Sequence, residues 1–545
     1  MPNRADHRTR LGEGVPLALA LGGLLGLAAI GPALSTGGLP GRAFVDAHGT
    51  QWWYWAVSQP SPGALLRFPD GVDLFAHTGL NVVDALLAML PRALFGPRLG
   101  YALFVAAIYG SNSAATAVLA RSFGADRAGQ VLAGLLLTSA PFLSLELEWG
   151  RPTQALVAFL PLALAAVRSG RPVWGGLALA LAGYTYWYAG LLGAFGVAAV
   201  GLGDHHNART RLLHTTVALA VAAALVSPAV LAMGLRLSHG AVPGLLAVGG
   251  GPHHGVWAHT VEGSLQTLWV LAPGGMAGGL LTTFEPSARL VGPVHVGLLL
   301  ASVIVLRRRA AVPLAWIALG VGVALGPRWS PLYAWAVHGL DLLRRWWWPV
   351  RAVVWIDLGV ALLAGLAVSR LRRGRWVLWS LLIVQVGLGH LPLSAWQPTD
   401  ASLLTRCIDH SSGEAVFTLP TSHAQAALWL QTHHGQPILS GMNGARAGFQ
   451  GATTERWLAE VPLLAEAKAV AGGATSTGRR KLSELDGTGI GTLVLRRDAV
   501  DPGIEGELKH LLGPPSASDP HLWIWAHAPL AARCRSHTPT RSPAD

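Results

Sequence analysis

Charge is scarce in this chain. Only 12% of its 545 residues are Asp, Glu, Lys or Arg, against 52% hydrophobic residues. Soluble domains carry about 25% charged residues. Half that density over so long a chain excludes an ordinary water-soluble globule and makes a bilayer the main solvent. Lysine is nearly missing: of 40 basic residues, only Lys468, Lys481 and Lys509 are not arginine. With so much Ala, Gly and Pro, the bias fits a GC-rich coding sequence. Cysteine is almost absent too, and Cys407 and Cys534 form neither a C-x-x-C pair nor a zinc spacing. The chain has no P-loop, no H-E-x-x-H and no G-x-S-x-G. GTGIG (487–491) precedes an expected strand, the wrong order for a dinucleotide fingerprint. His253, His254 and His259 fit no standard zinc pattern. The net charge of +12 could suggest nucleic acid. The arginines instead cluster between apolar runs, where they act as topology signals, and nucleic acid is not an expected partner.

Long apolar runs are what the chain has in abundance. A helix needs about 20 apolar residues to cross the hydrocarbon, and only a helix satisfies its own backbone there. Candidate spans lie near 15–34, 101–120, 129–145, 153–167, 172–184, 189–203, 212–235, 290–306, 311–326, 350–369 and 376–391. The first is longer than the h-region of a signal peptide, so an uncleaved span with a cytoplasmic N-terminus is expected. This topology places Arg121 and Arg127, Arg168 and Arg171, Arg209 and Arg211, Arg307–Arg309, and Arg370, Arg372, Arg373 and Arg375 inside. Every short inside loop then carries at least two arginines, as the positive-inside rule requires.

The expected fold is therefore a mainly α polytopic membrane protein of about eleven spans, residues 1–394, with a small α/β domain at 395–545 on the outside. Loop 36–98 is the first outer segment. In the tail, EAVFTLP (414–420), TLVLRR (492–497) and LWIWAH (522–527) read as strands. Residues 422–434, 453–470 and 504–512 read as helices. Both cysteines would meet an oxidising compartment. The spacing leaves open a disulfide joining the ends of this domain or two buried thiols.

Three segments carry candidate chemistry. FVDAHGTQWWYW (44–55) sets Asp46 just beyond the first span, before Trp52, Trp53, Tyr54 and Trp55. Asp46 is a candidate base, or an N-cap, and the aromatics read most simply as an interfacial belt. LELEWGRPTQ (145–154) crowds Glu146, Glu148 and Arg151 into a short outer turn. Charges so close to lipid need a partner or a polar cavity, so a Glu–Arg pair competes with a shared acidic site able to act as base or hold a divalent cation. RRWWWPVRAVVW (344–355) places Arg344, Arg345 and Arg351 at the outer end of a span, where positive-inside logic does not call for them. Bidentate phosphate recognition and headgroup snorkelling both account for them. Asp357 lies within the following span.

The ordered motifs resemble the bacterial membrane glycosyltransferases of the C-type superfamily (GT-C), in a poorly characterised branch with a C-terminal periplasmic domain. Asp46 before the Trp-rich helix resembles the acidic start of that family's first periplasmic loop. FPDGVDL (68–74), SAPF (139–142), AFLPLAL (158–164) and YTYWYAG (184–190) follow in the family's order. LGP (325–327), RRWWWPVRAVVW (344–355) and LQTHHGQPILSG (430–441) complete it. The resemblance implies a polyprenyl-phosphate-linked sugar as donor, and transfer at the periplasmic face of the bacterial inner membrane to a lipid, glycan or protein. It implies a catalytic role for Asp46. Glu146 and Glu148 stand as secondary acids, and Arg344, Arg351 and Arg151 as donor-phosphate ligands. The alternative is a non-catalytic scaffold, or a polysaccharide- or lipid-handling factor, that keeps the fold.

Overall fold

The computed structural model describes residues 14–43, 45–72, 74, 81–202, 208–238, 293–324, 349–371, 374–388, 392–408, 414–421, 424–439 and 452–526. Arg344, Arg345, the LGP element, His253, His254, His259 and Cys534 lie outside the described residues. Two compact units emerge. The first lies within Met1–Arg42, Thr78–Gly240 and Leu246–Trp396, and the second within Ala43–His77 and Gln397–Asp545, apart from a short undescribed stretch.

The first unit is helical. It opens with α1 (Gly14–Ala29) and α2 (Gly31–Thr36). After the segment belonging to the second unit come α4 (Val83–Phe95), α5 (Pro97–Ser122), α6 (Arg127–Thr138) and α7 (Pro141–Glu148); α3 is described below. Next are α8 (Pro152–Ala155), α9 (Phe159–Arg168), α10 (Pro172–Thr185), α11 (Trp187–Leu202) and α12 (Ala208–Ser238). The unit ends with α13 (Pro293–Leu306), α14 (Ala311–Ala324), α15 (Val353–Val368) and α16 (Arg375–Leu388). Two-residue strands β1 (Leu39–Pro40) and β2 (Ala395–Trp396) pair antiparallel and bring the unit's ends together.

Each expected span coincides with one of these helices or a broken pair. Among the described residues two helices, Pro97–Ser122 and Arg209–Ala232, are long and apolar enough to cross a membrane alone. A third span results if α6 and α7, bent by 40°, count as one. The remaining apolar helices have 10–17 residues. At 1.5 Å per residue such a helix reaches at most about 25 Å, short of the ~30 Å hydrocarbon core. The bend falls at SAPF, where Pro141 opens α7 and cannot continue the hydrogen-bond ladder of α6. The expected span 153–167 is also broken, between α8 and α9. Buried Asn112 on α5 repairs the break: its Nδ2 donates to the Ala155 carbonyl at 2.8 Å and its Oδ1 accepts the Val157 amide at 3.1 Å. α4 was not expected, because residues 36–98 read as one outer loop; it carries Pro91 within it. Its Leu86, Leu90 and Leu94 are exposed, as are Leu24 on α1 and Leu231 and Leu235 on α12.

Small residues let the helices touch. Helix association in lipid lacks a hydrophobic driving force and relies on close backbone packing. A Cβ on Gly129 would stand 2.2 Å from the Gly365 carbonyl oxygen, so α6 and α15 meet backbone to backbone. A Cβ on Gly196 would stand 2.0 Å from the Trp355 ring. That gap admits Trp355 against Trp316, whose indole N–H donates to the Gly196 carbonyl at 3.2 Å.

The second unit contains α3 (Val45–Ala56) and, in the tail, α17 (Ser402–Cys407), β3 (Ala415–Leu419), α18 (Ala424–His434), α19 (Ala452–Glu460) and α20 (Pro462–Ala471). β4 (Ile490–Arg496), α21 (Pro502–Leu512), β5 (Ala517–Ser518) and β6 (Leu522–Ala526) complete it. The sheet order is β3-β4-β6-β5, with β3 parallel to β4 and the other pairs antiparallel. A parallel pair needs a long crossover, and α18, α19 and α20 lie within it. The expected helix 453–470 is split because Pro462 starts a new one. Phe417, Leu463, Leu493, Leu508 and Trp525 fill the core under the sheet. The sequence boundary at 394/395 thus differs from this unit in one substantial way. Part of the first outer segment, 43–77, is built together with the tail.

Candidate functional site

In the first unit, the site candidates gather where helices break. Arg151 follows α7, and its Nη1 reaches the Glu146 Oε2 at 3.5 Å with both side chains largely buried. The Arg151 amide also donates to the Glu146 carbonyl at 2.7 Å. The aromatic turn at the junction of α10 and α11 packs Tyr186 against Tyr188 at a tilt, ring centroids 4.8 Å apart, and sets Trp187 edge-on to Tyr188 at 4.2 Å. Arg351, in the 3₁₀ turn before α15, donates through Nη1 to the Tyr186 hydroxyl. Its guanidinium lies 5.5 Å from the Tyr186 ring and 5.9 Å from that of Tyr188. Burial pushes the Tyr186 phenol well up, while nearby Arg351 pulls it down and Glu146 adds to the rise. Tyr186 therefore stays a neutral hydroxyl, and Glu146, Arg151 and Arg351 share one neighbourhood around it.

One member of this neighbourhood escaped sequence reasoning. Asp84 in the first turn of α4 is fully buried and accepts a hydrogen bond from the Thr153 hydroxyl at 2.8 Å, two residues from Arg151. The Val82 amide donates to the Tyr184 carbonyl at 2.8 Å and ties the start of α4 to the aromatic turn. The signal was an acid inside an apolar helical pattern, hidden because that helix was not foreseen.

Glu148 has a different position from Glu146. Its carboxylate takes the Arg42 Nε at 2.7 Å, the Ser394 amide at 2.8 Å and the Ser394 hydroxyl. The Glu148 carbonyl accepts the Arg42 amide at 2.7 Å, and the Gly41 amide donates to the Ser394 carbonyl. Glu148 thus clasps the strands β1 and β2. Asp357 is buried on α15.

In the second unit, Asp46 stands half-buried in the first turn of α3, where a carboxylate complements the helix dipole. The aromatics after it do not form a simple belt. Trp52 and Tyr54 are buried, while Trp53 and Trp55 are half-buried. The Trp52 indole N–H donates to the Gln431 Oε1 on α18 at 2.7 Å. Gln431 in turn donates to the carbonyls of Leu65, at 2.6 Å, and Gln436, at 2.9 Å. The Gln436 amide donates to the Nδ1 of buried His434 at 3.1 Å. A buried indole N–H needs an acceptor, and the LQTHHGQPI segment supplies it. Two motifs 379 positions apart meet in one polar knot.

Both acids of the second outer turn already have partners. Glu146 is engaged by Arg151 and Glu148 by Arg42 and Ser394. Among the described residues no three His, Cys, Asp or Glu side chains converge to hold one.

No protein-family model and no curated protein matches the chain. Solved structures do. The mycobacterial arabinofuranosyltransferase AftD superposes with TM-scores of 0.56 and 0.52 in two classes, at 14% and 16% identity. The match covers 94% of this chain but 41% of AftD, so the chain spans well under half of that enzyme. The oligosaccharyltransferase AglB of Archaeoglobus fulgidus, bound to an inhibitory peptide and a dolichol-phosphate, is similar at TM-score 0.44 and 12% identity, over 88% of this chain and 69% of AglB. The chain has the fold of the GT-C-type membrane glycosyltransferases.

Proposed function

We propose that this GT-C-fold protein is a membrane glycosyltransferase. It moves a hexosyl or pentosyl group from a polyprenyl-phosphate-linked donor to a lipid, glycan or protein acceptor at the periplasmic face of the bacterial inner membrane. The observation that carries the reading is the pair of arginines at the helix breaks. Arg351 is aimed by the Tyr186 hydroxyl and Arg151 is oriented by Glu146. Guanidinium groups fit phosphate oxygens in a bidentate way. As the bond from the anomeric carbon to the phosphate oxygen breaks, negative charge grows on the departing lipid phosphate, and preorganised cations stabilise it. The acceptor hydroxyl forms the new bond to that carbon and gives up its proton. We assign this proton to Asp46, the acid of the first outer segment, and assign Asp84 to holding the Thr153 turn that follows Arg151. The neutral Tyr186 hydroxyl fixes the guanidinium without competing for its charge.

A specific observation favours the scaffold alternative. Both acids of the second outer turn are held by arginines, as they would be in a purely structural role.

Comparative glycolipid and glycan profiling of a deletion strain separates the two. The deletion should lose one glycoconjugate that the wild-type gene restores. Asp46→Asn and Arg351→Gln should each reach the membrane at normal level yet restore less than about 1% of it, a loss in line with removing a general base or a charge-stabilising group. Full restoration by Asp46→Asn removes the base assignment. Full restoration by both variants favours the scaffold.

A further inference from the structure

Loop 61–72 of the second unit is built more tightly than a connector requires. The Val72 amide donates to the Gly63 carbonyl at 3.0 Å and the Gly71 amide to the Arg67 carbonyl at 3.1 Å. A Cβ on Gly63 would stand 2.3 Å from the Val72 carbonyl oxygen, so only glycine closes the loop there. The loop is also anchored. The Ile438 amide donates to the Leu65 carbonyl, the Phe68 amide donates to the Ile438 carbonyl, and Gln431 donates to Leu65.

At its apex Arg67 adopts φ +52°. A long non-glycine side chain in the left-handed region is strained, and such outliers cluster at functional sites. Glycine or asparagine would hold this turn with less strain. Arg67 instead lines an open hollow of about 570 Å³, together with Ser61, Asp70, Gly63 and Gly71. Small-ligand pockets run from roughly 300 to 1,000 Å³. Asp70 is itself fixed, because its Oδ2 accepts the Thr453 amide at the start of α19 at 2.9 Å.

We propose that this hollow, built from the second unit's own residues, is a binding site for a neutral oligosaccharide and is independent of the transfer reaction assigned to Arg351. The charge balance selects the ligand. Asp70 and Glu455 both act electrostatically on Arg67, so one cation faces two anions. A free anion meets net repulsion and a cation meets Arg67. A neutral polyol meets neither. The guanidinium offers donors in a fixed fork and the carboxylate offers acceptors, a combination that suits vicinal hydroxyls. Partial burial of Arg67, which lowers its proton affinity, strips water from those donors in advance.

The test uses the full-length protein in nanodiscs and soluble neutral hexose and pentose tri- to hexasaccharides, with uronic-acid oligosaccharides as the charged comparison. Saturation-transfer NMR and calorimetry read binding. The wild type should bind at least one neutral oligosaccharide and prefer it over its uronic-acid counterpart. Arg67→Gly relieves the left-handed strain and should weaken binding at least tenfold while the melting temperature holds or rises. Asp70→Asn, which keeps an oxygen for the Thr453 amide, should weaken binding too. Arg351→Gln should bind as the wild type does, which separates this site from the transfer reading. Unchanged affinity in Arg67→Gly overturns the proposal. So does a wild type that binds none of the neutral panel or prefers the uronic acids.

Discussion

Similar residue types carry different commitments in this molecule. Glu146 and Glu148 are two positions apart, yet one holds an arginine beside an aromatic turn and the other clasps the two ends of the helical unit. Spacing could not separate them, because their difference lies in Ser394 and Arg42, far away in sequence. Asp46, by contrast, could be singled out from sequence by its place after the first apolar run. The tail offers a residue whose chemistry can be read directly. Glu466 accepts the hydroxyl and the amide of Thr477, both at 2.6 Å, and the Arg480 Nε at 2.8 Å. The Thr477 hydroxyl, then Arg480, lower its carboxyl from 4.5 to about 2. A depressed folded-state value means the carboxylate contributes stability above pH 4.5 and loses it as the pH falls towards 2. Glu466→Gln should therefore lower the melting temperature of the second unit by a few degrees at pH 6. The gap to wild type should shrink steadily below pH 4.5 and vanish near pH 2, measured by fluorescence melts. A gap that does not change with pH would rule out the charge as its source.

Among the elements, helix ends and crossings matter more than helix length. The arginines that suggested topology also finish helices. Arg168 donates to the Ser122 carbonyl at 3.0 Å and covers the Phe123 ring, and Arg375 pairs with Asp126, which caps α6 through the Gly129 amide. The Ser369 hydroxyl joins this group at the C-terminal end of α15, while Arg351 marks its N-terminal end. Between them α15 touches α6 through Gly129 and Gly365. Gly129→Val should force these backbones apart at a cost of about 1–3 kcal/mol, the usual range for overpacking. Thermal unfolding in detergent checks this, with Gly23→Val on α1, which has open space around it and a helical backbone, as a control for added bulk. An unchanged transition for Gly129→Val would mean that the crossing is looser than described.

For the whole chain, the main lesson is that a chain segment and a structural unit do not coincide. Residues 43–77 belong with the tail, joined through Trp52, Leu65, Phe68, Gln431 and Ile438. A fragment of residues 397–545 alone would leave Gln431 without its indole donor and the adjoining apolar surface open. It should be less stable than the same fragment fused to 43–77 by a flexible linker. The difference should be about 3 kcal/mol or more, the scale of losing a buried Trp contact and its hydrogen bonds. Equal denaturation midpoints would show that the first outer segment is an accessory to this unit.

The sequence by itself determined the solvent, the helical class, the tail strands β3, β4 and β6, and the order of motifs. Each of these rests on local pattern: charge density, apolar run length, strand period and arginine placement. Only the tertiary structure decided where the runs break, which acid is a clasp, that Asp84 joins Arg151's turn, and that the first outer segment is built with the tail. Those outcomes depend on partners far apart in sequence, as with Trp52 and Gln431, separated by 379 positions. Local pattern holds no record of which distant polar group will satisfy a buried one.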